Sequence, residues 1–327
     1  MDWNSIFSQT LTQAIGVSAV IYCLAAVGLN VHFGYTGLLN FGQAGFLAVA
    51  AYGLAVSVAN MGWSLWVGLV VGLIASVILA LLLGIPTLRL RADYLAIVTI
   101  AAAEIIRLLV RSVTLREWFG GSDGITRFAD SFYDLNPFPG PVAFGPITFS
   151  KNDIWVVTVG WMLVALSSLA IWSLMRSPWG RVLKGIREDE DAVRSLGKNV
   201  YSYKMQALIL GGVIGSLGGF VSAIAFQSVQ PDSFSTDFTF YAYTILILGG
   251  AARVFGPIVG AMIFWGLLVF VGESLNEAVS KGVITFITTT QVGQIRFMLV
   301  GLGLMMLMIF RPQGIFGDRK ELALDAR

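Results

Sequence analysis

Long apolar runs, separated by short clusters of glycine, proline and charge, set the rhythm of the chain. A helix needs about 20 mostly apolar residues to cross the hydrocarbon core of a bilayer. Runs of that kind occupy roughly residues 11–30, 38–59, 63–85, 93–113, 152–175, 205–229, 238–252, 255–274 and 294–311. Two of them, 38–59 and 238–252, are short or broken by glycine, and either could be re-entrant. The pattern predicts an all-α integral membrane protein, a polytopic helix bundle with about eight or nine transmembrane segments. It is expected to form a single transmembrane domain over residues 1–327.

Composition removes the competing class. Of 327 residues, 56% are hydrophobic and 12% charged, against roughly 25% charged in an average soluble domain. A soluble enzyme of this size would lack polar cover, and a net charge of +2 gives no ground for nucleic-acid binding. Met1 to Thr10 lack the basic start of a cleavable signal, so the first span is expected to direct insertion. The single cysteine, Cys23, lies inside an apolar run and reads as a small core hydrophobe.

Basic residues set the expected orientation. Segment 176–204 holds Arg176, Arg181, Lys184, Arg187, Arg194, Lys198 and Lys204; Arg311 and the tail 312–327 add more, as do Arg89, Arg91 and Arg253. Loop 114–151, on the other side, has Arg116, Arg127 and Lys151. Alternating the spans puts the basic pieces on one face, which should be cytoplasmic. The N-terminus then faces out if 38–59 crosses fully. The proline- and glycine-rich loop 114–151 reads either as a cap over the outer mouth or as an ordinary connection.

Candidate chemistry is sparse. No G-x-x-x-x-G-K-[ST] loop is present to hold ATP phosphates. The sole histidine, His32, has no metal-ligand partners and is expected to be an interfacial polar residue. No metal or cofactor is implied. Ionisable groups inside spans are costly and tend to be functional. The clear pair is Glu104 and Arg107, whose i,i+3 spacing lets them meet on one helix face, as a structural ion pair or along a polar pathway.

Glycine placement says more. The stretch Gly34-Tyr-Thr-Gly37-Leu-Leu-Asn40-Phe-Gly42-Gln43-Ala-Gly45 lies at membrane depth, yet is too polar for a lipid-facing helix. Irregular backbone survives there only where protein buries it or water reaches it. A second such region runs from Gly249 to Gly260. Interrupted segments in both halves of a chain point to a translocation site between them. Gly211-Gly212, Gly215 and Gly218-Gly219 read instead as close helix packing.

The stretch 177–197 reads as an exposed helix or helix pair, begun by Ser177 and Pro178 and ended by Gly197. Trp179, Val182, Leu183, Ile186, Val193 and Leu196 follow helical spacing, with charge on the other face. It either lies on the membrane or contacts a soluble partner.

These blocks resemble those of the branched-chain amino-acid permeases of ATP-binding-cassette (ABC) importers, over about residues 15–317. The resemblance is carried by Gly28-Leu-Asn30 through Phe46, Leu88-Arg-Leu-Arg-Ala-Asp93-Tyr94 through Thr99, Glu104-Ile-Ile-Arg107, Gly120-Gly-Ser-Asp-Gly124-Ile125 and Ser177-Pro-Trp-Gly180-Arg181 through Glu190. It implies an inner-membrane permease subunit that pairs with a second related permease. Two cytoplasmic ATP-binding subunits would lie beneath, and an extracytoplasmic binding protein would deliver substrate. Gly34, Gly37, Asn40, Gly42, Gln43, Gly45, Glu104 and Arg107 are then expected to line the pathway or break its helices. By the same resemblance 177–197 is the segment that docks on the ATPase, with Trp179, Gly180, Arg181, Ile186, Arg187, Glu188, Asp189, Asp191, Ala192 and Gly197 as coupling residues. Asp191-Ala192-Val193-Arg-Ser-Leu-Gly197 approximates the Glu-Ala-Ala-x-x-x-Gly pattern of importers. Permeases for urea, short amides and other amino acids share the blocks, so they stand as alternatives, as does an ion-coupled carrier or channel working alone.

Overall fold

In the computed structural model, residues 3–89, 92–284, 288–311 and 313–317 are described. Arg91, Arg319, Lys320, Arg327 and most of the tail 312–327 lie outside them. Helices α1 (Trp3–Ala14) and α2 (Val17–Leu29) continue through a π-helical turn, Asn30–Tyr35, as one candidate span of 33 residues. After a non-helical stretch come α3 (Gln43–Ala55), with a π-helical end at Val56–Asn60, then α4 (Leu65–Thr87) and α5 (Ala92–Arg111). The loop that follows holds two single-turn helices, α6 (Arg116–Phe119) and α7 (Asp130–Tyr133), with β1 (Ile125–Thr126) between them. It ends in a hairpin of β2 (Val142–Phe144) and β3 (Ile147–Phe149).

Beyond it run α8 (Lys151–Arg176), the short pair α9 (Pro178–Glu188) and α10 (Glu190–Ser195), and α11 (Val200–Phe226). Strand β4 (Ser228–Val229) and a 3₁₀ turn, Pro231–Phe234, lead to α12 (Thr236–Gly249), α13 (Gly256–Ser280) and α14 (Thr289–Phe310). Among the described residues, seven helices are long and apolar enough to cross a membrane. The two other expected spans differ for separate reasons. Helix α5 carries Asp93, Glu104, Arg107 and Arg111, and α12 has only 14 residues. Run 38–59 is among the seven, as Gln43–Asn60, so the short helix is the one at 238–252.

Side-chain caps fix several starts. Ser64 accepts from the Val67 N–H and Ser150 from the Asp153 N–H, while Thr288 and Gln291 form a reciprocal capping box. These satisfy donors that the first helical turn leaves without partners.

Helix α11 is the axis of the bundle: 78% of its most apolar stretch is buried, against 11% for α14. It packs on α2, α3 and α4, with Leu24, Phe46, Leu47 and Leu208 fully buried among them. The glycine cluster does this work, as its spacing implied. A Cβ on Gly219 would lie 2.3 Å from the Leu47 carbonyl oxygen, so only glycine lets the two backbones approach so closely.

Contacts sort the connections to two ends. At one end, Arg89 lies over the Tyr201 ring, Arg187 reaches Gly34, and the 313–317 stretch bonds to Leu248 and Gly249. This basic end also carries α9 and α10. At the opposite, loop end, β1 pairs with β4, Asn60 donates to the Trp118 carbonyl, and the Tyr133 hydroxyl donates to the Ile224 carbonyl. Ser8 donates to the Pro146 carbonyl, which brings the start of α1 to the same end.

Gly219→Val is expected to destabilise the bundle by about 1–3 kcal/mol, the usual range for overpacking. Gly303→Val on α14, where a Cβ would meet nothing within 4 Å, is the control. Thermal unfolding of detergent-solubilised protein, followed by size-exclusion profile, checks the difference; equal profiles would remove α11 as the packing axis.

Candidate functional site

The first helix break is held by side chains that replace its lost backbone bonds. After the π-helical turn, Gly37 takes φ 72°, a left-handed angle that other residues adopt only with strain. The chain then stays non-helical to Gly42. Asn40 is the hub and is fully buried. Its N–H donates to the Tyr243 hydroxyl (3.1 Å), which in turn donates to the Asn40 carbonyl (3.0 Å). Its side-chain oxygen accepts from the Gly42 N–H at 2.9 Å, and its amide nitrogen donates to Gln43 Oε1 at 3.1 Å. The same nitrogen lies 3.1 Å from His32 Nδ1, and His32 Nε2 lies 3.0 Å from the Leu208 carbonyl. The carbonyl only accepts and the Asn40 amide nitrogen only donates, so the His32 proton sits on Nε2 and Nδ1 accepts. It is wholly buried rather than interfacial, a correction to its expected place. Phe41 N–H and Ala44 N–H find the hydroxyls of Thr99 and Thr239, each at 3.0 Å.

The second break lies against the first. Helix α12 stops at Gly249, Gly250 takes φ 107° and Ala252 φ 59°, and α13 begins at Gly256. Asn30 clasps the turn between them. Its side-chain oxygen accepts from the Ala252 N–H and its amide donates to the Arg253 carbonyl, both at 2.8 Å. The clasp needs Gly34, because a Cβ there would sit 2.0 Å from Asn30 Oδ1. From the basic end, Arg187 Nη1 donates to the Gly34 carbonyl at 2.6 Å.

The expected site residues thus fall into three groups. Gly34, Asn40 and Gly42 are buried in the first break, Gln43 and Gly45 are buried in the first turn of α3 beside it, and Gly37 is partly exposed beside Arg187. Glu104 and Arg107 lie elsewhere, toward the loop end of α5. Arg107 forks onto Glu104, with Nε to Oε2 at 2.9 Å and Nη2 to Oε1 at 2.5 Å. Two further residues join them: Arg107 Nη1 and Arg111 Nη1 donate to the same Asp232 oxygen, at 3.0 and 3.1 Å.

The third group is α9–α10. Trp179 bonds Gln206, and Gly180 and Ile186 are buried against the bundle, so those two anchor the pair instead of presenting it. Asp189 caps α10 by accepting from the Ala192 N–H at 2.9 Å. Glu190 pairs with Lys204 and Arg194, and Asp191 with Arg194. Arg181, Glu188, Asp191, Ala192 and Gly197 remain exposed, and so does Leu196, at 79%. Ser177 starts α9 by position, but its hydroxyl donates back to the Leu174 carbonyl.

An apolar cavity of about 590 Å³ opens between α3, α4 and α5 near the loop end, lined by Tyr52, Val56, Val71, Ile106 and Phe119 among others. The Tyr52 hydroxyl is buried there without a hydrogen-bond partner among the described residues.

Sequence reasoning missed Asn30, Thr99, Thr239, Tyr243, Arg111 and Asp232. Asn30 carried a signal, an amide inside an apolar run four residues before Gly34. Tyr243 and Asp232 carried none, since their partners lie more than 100 residues away.

A bundle of many long apolar helices, with its breaks near the basic end clasped across the two halves, suits a membrane permease. Residues 11–290 match the family described as branched-chain amino acid transport system / permease component, and the chain belongs to that family. It is 32% identical to the high-affinity branched-chain amino acid transport system permease protein LivM of Escherichia coli K12, over 93% of this chain and 69% of that one. A probable branched-chain amino acid transport permease of Methanocaldococcus jannaschii is 24% identical over 91% of each. A guanosine ABC transporter permease of Bacillus subtilis is 26% identical over 78% of this chain and 82% of its own. The chain is a multi-pass inner-membrane protein.

Gly42→Val is expected to cut solute uptake by the assembled transporter at least 10-fold while the protein still inserts. A Cβ there would lie 2.3 Å from the Thr99 carbonyl oxygen, forcing α3 and α5 apart. Uptake and membrane yield are measured together; normal uptake would free the break from any constraint on transport.

Proposed function

We propose that the chain forms half of the translocation pathway of an ATP-driven importer for branched-chain amino acids. Its other half is a second, related permease. Hydrolysis comes from two separate ATP-binding subunits at the basic end, which faces the cytoplasm, and solute comes from an extracytoplasmic binding protein at the loop end. The family match carries the class. For the mechanism the carrying observation is the Arg187–Gly34 bond, which ties α9 to the first helix break. A push on α9–α10 from a docked subunit reaches the break through one charge-assisted hydrogen bond, and the second break through the Asn30 clasp. The apolar cavity beside α5 suits an aliphatic solute.

The partner-facing surface of the pair is the exposed set, Arg181, Glu188, Asp191, Ala192 and Leu196. Leu183 and Ile186 are buried and hold the pair to the bundle. The match to a guanosine permease supports a second reading that differs in solute only. Uptake of leucine, valine and guanosine by the complete reconstituted importer separates the two.

Two outcomes test the proposal. In liposomes the chain alone should take up no solute under a sodium or proton gradient, and robust gradient-driven uptake would replace the importer with a self-sufficient carrier. Within the assembled importer, Glu188→Lys should lower recovery of the ATP-binding subunits and the hydrolysis stimulated by loaded binding protein, each several-fold. Glu188 is the clean probe because Asp189 caps α10, so its replacement would damage the helix itself. Unchanged recovery and stimulation would remove α9–α10 as the docking surface.

A further inference from the structure

The four charges at the loop end of α5 form more than an ion pair. Arg107 is oriented by Glu104, which grips its Nε and Nη2 and leaves Nη1 pointing on. Arg111, one turn further along, brings its own Nη1 to the same point. What sits there is one oxygen of Asp232, held at 3.0 and 3.1 Å by the two guanidinium groups. Two arginines converging on one carboxylate oxygen make a preformed carboxylate site.

The present occupant is poorly buried. The Asp232 side chain is 65% exposed and Arg111 45%, while Arg107 is 17% exposed. Asp232 belongs to the short turn Pro231–Phe234, whose Pro231 and Phe234 are buried and fix the turn in place. The carboxylate can therefore leave by side-chain rotation while its backbone stays. The surroundings give the site a reason to face a solute. Ile105 and Leu108, exposed nearby on α5, are aliphatic, and charge beside such positions is costly against lipid.

We propose that the Arg107–Arg111 pair is a transient binding site for the α-carboxylate of the transported amino acid, and that Asp232 is the tethered carboxylate it displaces. The inference rests on the amino-acid reading above and names the chemistry that reading lacks. Displacement keeps the charge balance. The incoming carboxylate replaces one negative charge beside the arginines, and the released Asp232, 65% exposed already, turns away into solvent. Glu104 is the positioning residue that keeps Arg107 aimed.

The test uses the complete importer in liposomes with loaded binding protein, measuring valine uptake at saturation. Arg111→Gln should lower uptake at least 10-fold. Asp232→Asn should leave it at wild-type level or above, because the competitor is gone, and the double variant should stay as low as Arg111→Gln. A purely structural ion pair predicts another pattern: both single variants fall alike and the double variant recovers. That pattern, or full uptake by Arg111→Gln, overturns the site. If Arg111→Gln fails to assemble, Asp232→Asn decides alone, and a 10-fold fall in its uptake overturns the site. A wild-type importer that carries guanosine and no valine would instead overturn the amino-acid reading and this site with it, so the two failures are distinguishable.

Discussion

A backbone that leaves the helix inside a membrane exposes N–H and C=O groups where no water can take them. Each such group left without a partner costs several kcal/mol in hydrocarbon. Between Asn30 and Gln43 this chain leaves the α-helical pattern, and the structure is arranged around providing those partners. Asn40 uses its backbone N–H and C=O and both side-chain polar atoms, while Thr99, Thr239 and Tyr243 come from α5 and α12 to complete the set.

The same requirement joins the two halves of the molecule. The second break, between α12 and α13, is answered by Asn30 from the first, so neither turn can rearrange without the other. Arg187 enters the arrangement from α9, and its bond to the Gly34 carbonyl makes the short helix pair part of the break rather than an appendage. Burial of Leu183 and Ile186 fixes α9 to the bundle, and leaves charge and Leu196 on the outer surface. In the proposed importer, stiff anchoring beneath and a small set of hydrogen bonds above would serve as a discrete switching element, because packed interfaces change between arrangements and do not deform smoothly.

Charge is handled differently at the two ends. At the basic end most acidic side chains of α9–α10 are engaged within their own short helices or with Lys204. Exposed pairs of this kind add little stability, and their role is to set the shape and sign of the surface. At the loop end the α5 cluster brings together groups 121 and 125 residues apart in sequence, on a helix whose other exposed positions are aliphatic apart from Tyr94.

The chain's apolar runs determined the bundle and the approximate spans, and its glycine and polar placement the two interruptions, because a bilayer imposes a length and a polarity on every crossing. Sequence spacing also sufficed for the Glu104–Arg107 pair and for the glycine face of α11, since both follow from positions on one helix. Tertiary structure alone decided what the breaks are bonded to. It placed Tyr243 and Thr239 at Asn40, Asn30 across the second break, Asp232 between two arginines, and Ile186 inward where its spacing fitted an outward anchor equally well. Local pattern reports which groups must be satisfied. Which distant residue satisfies them depends on how helices far apart in the chain come to lie side by side, and no single segment carries that information.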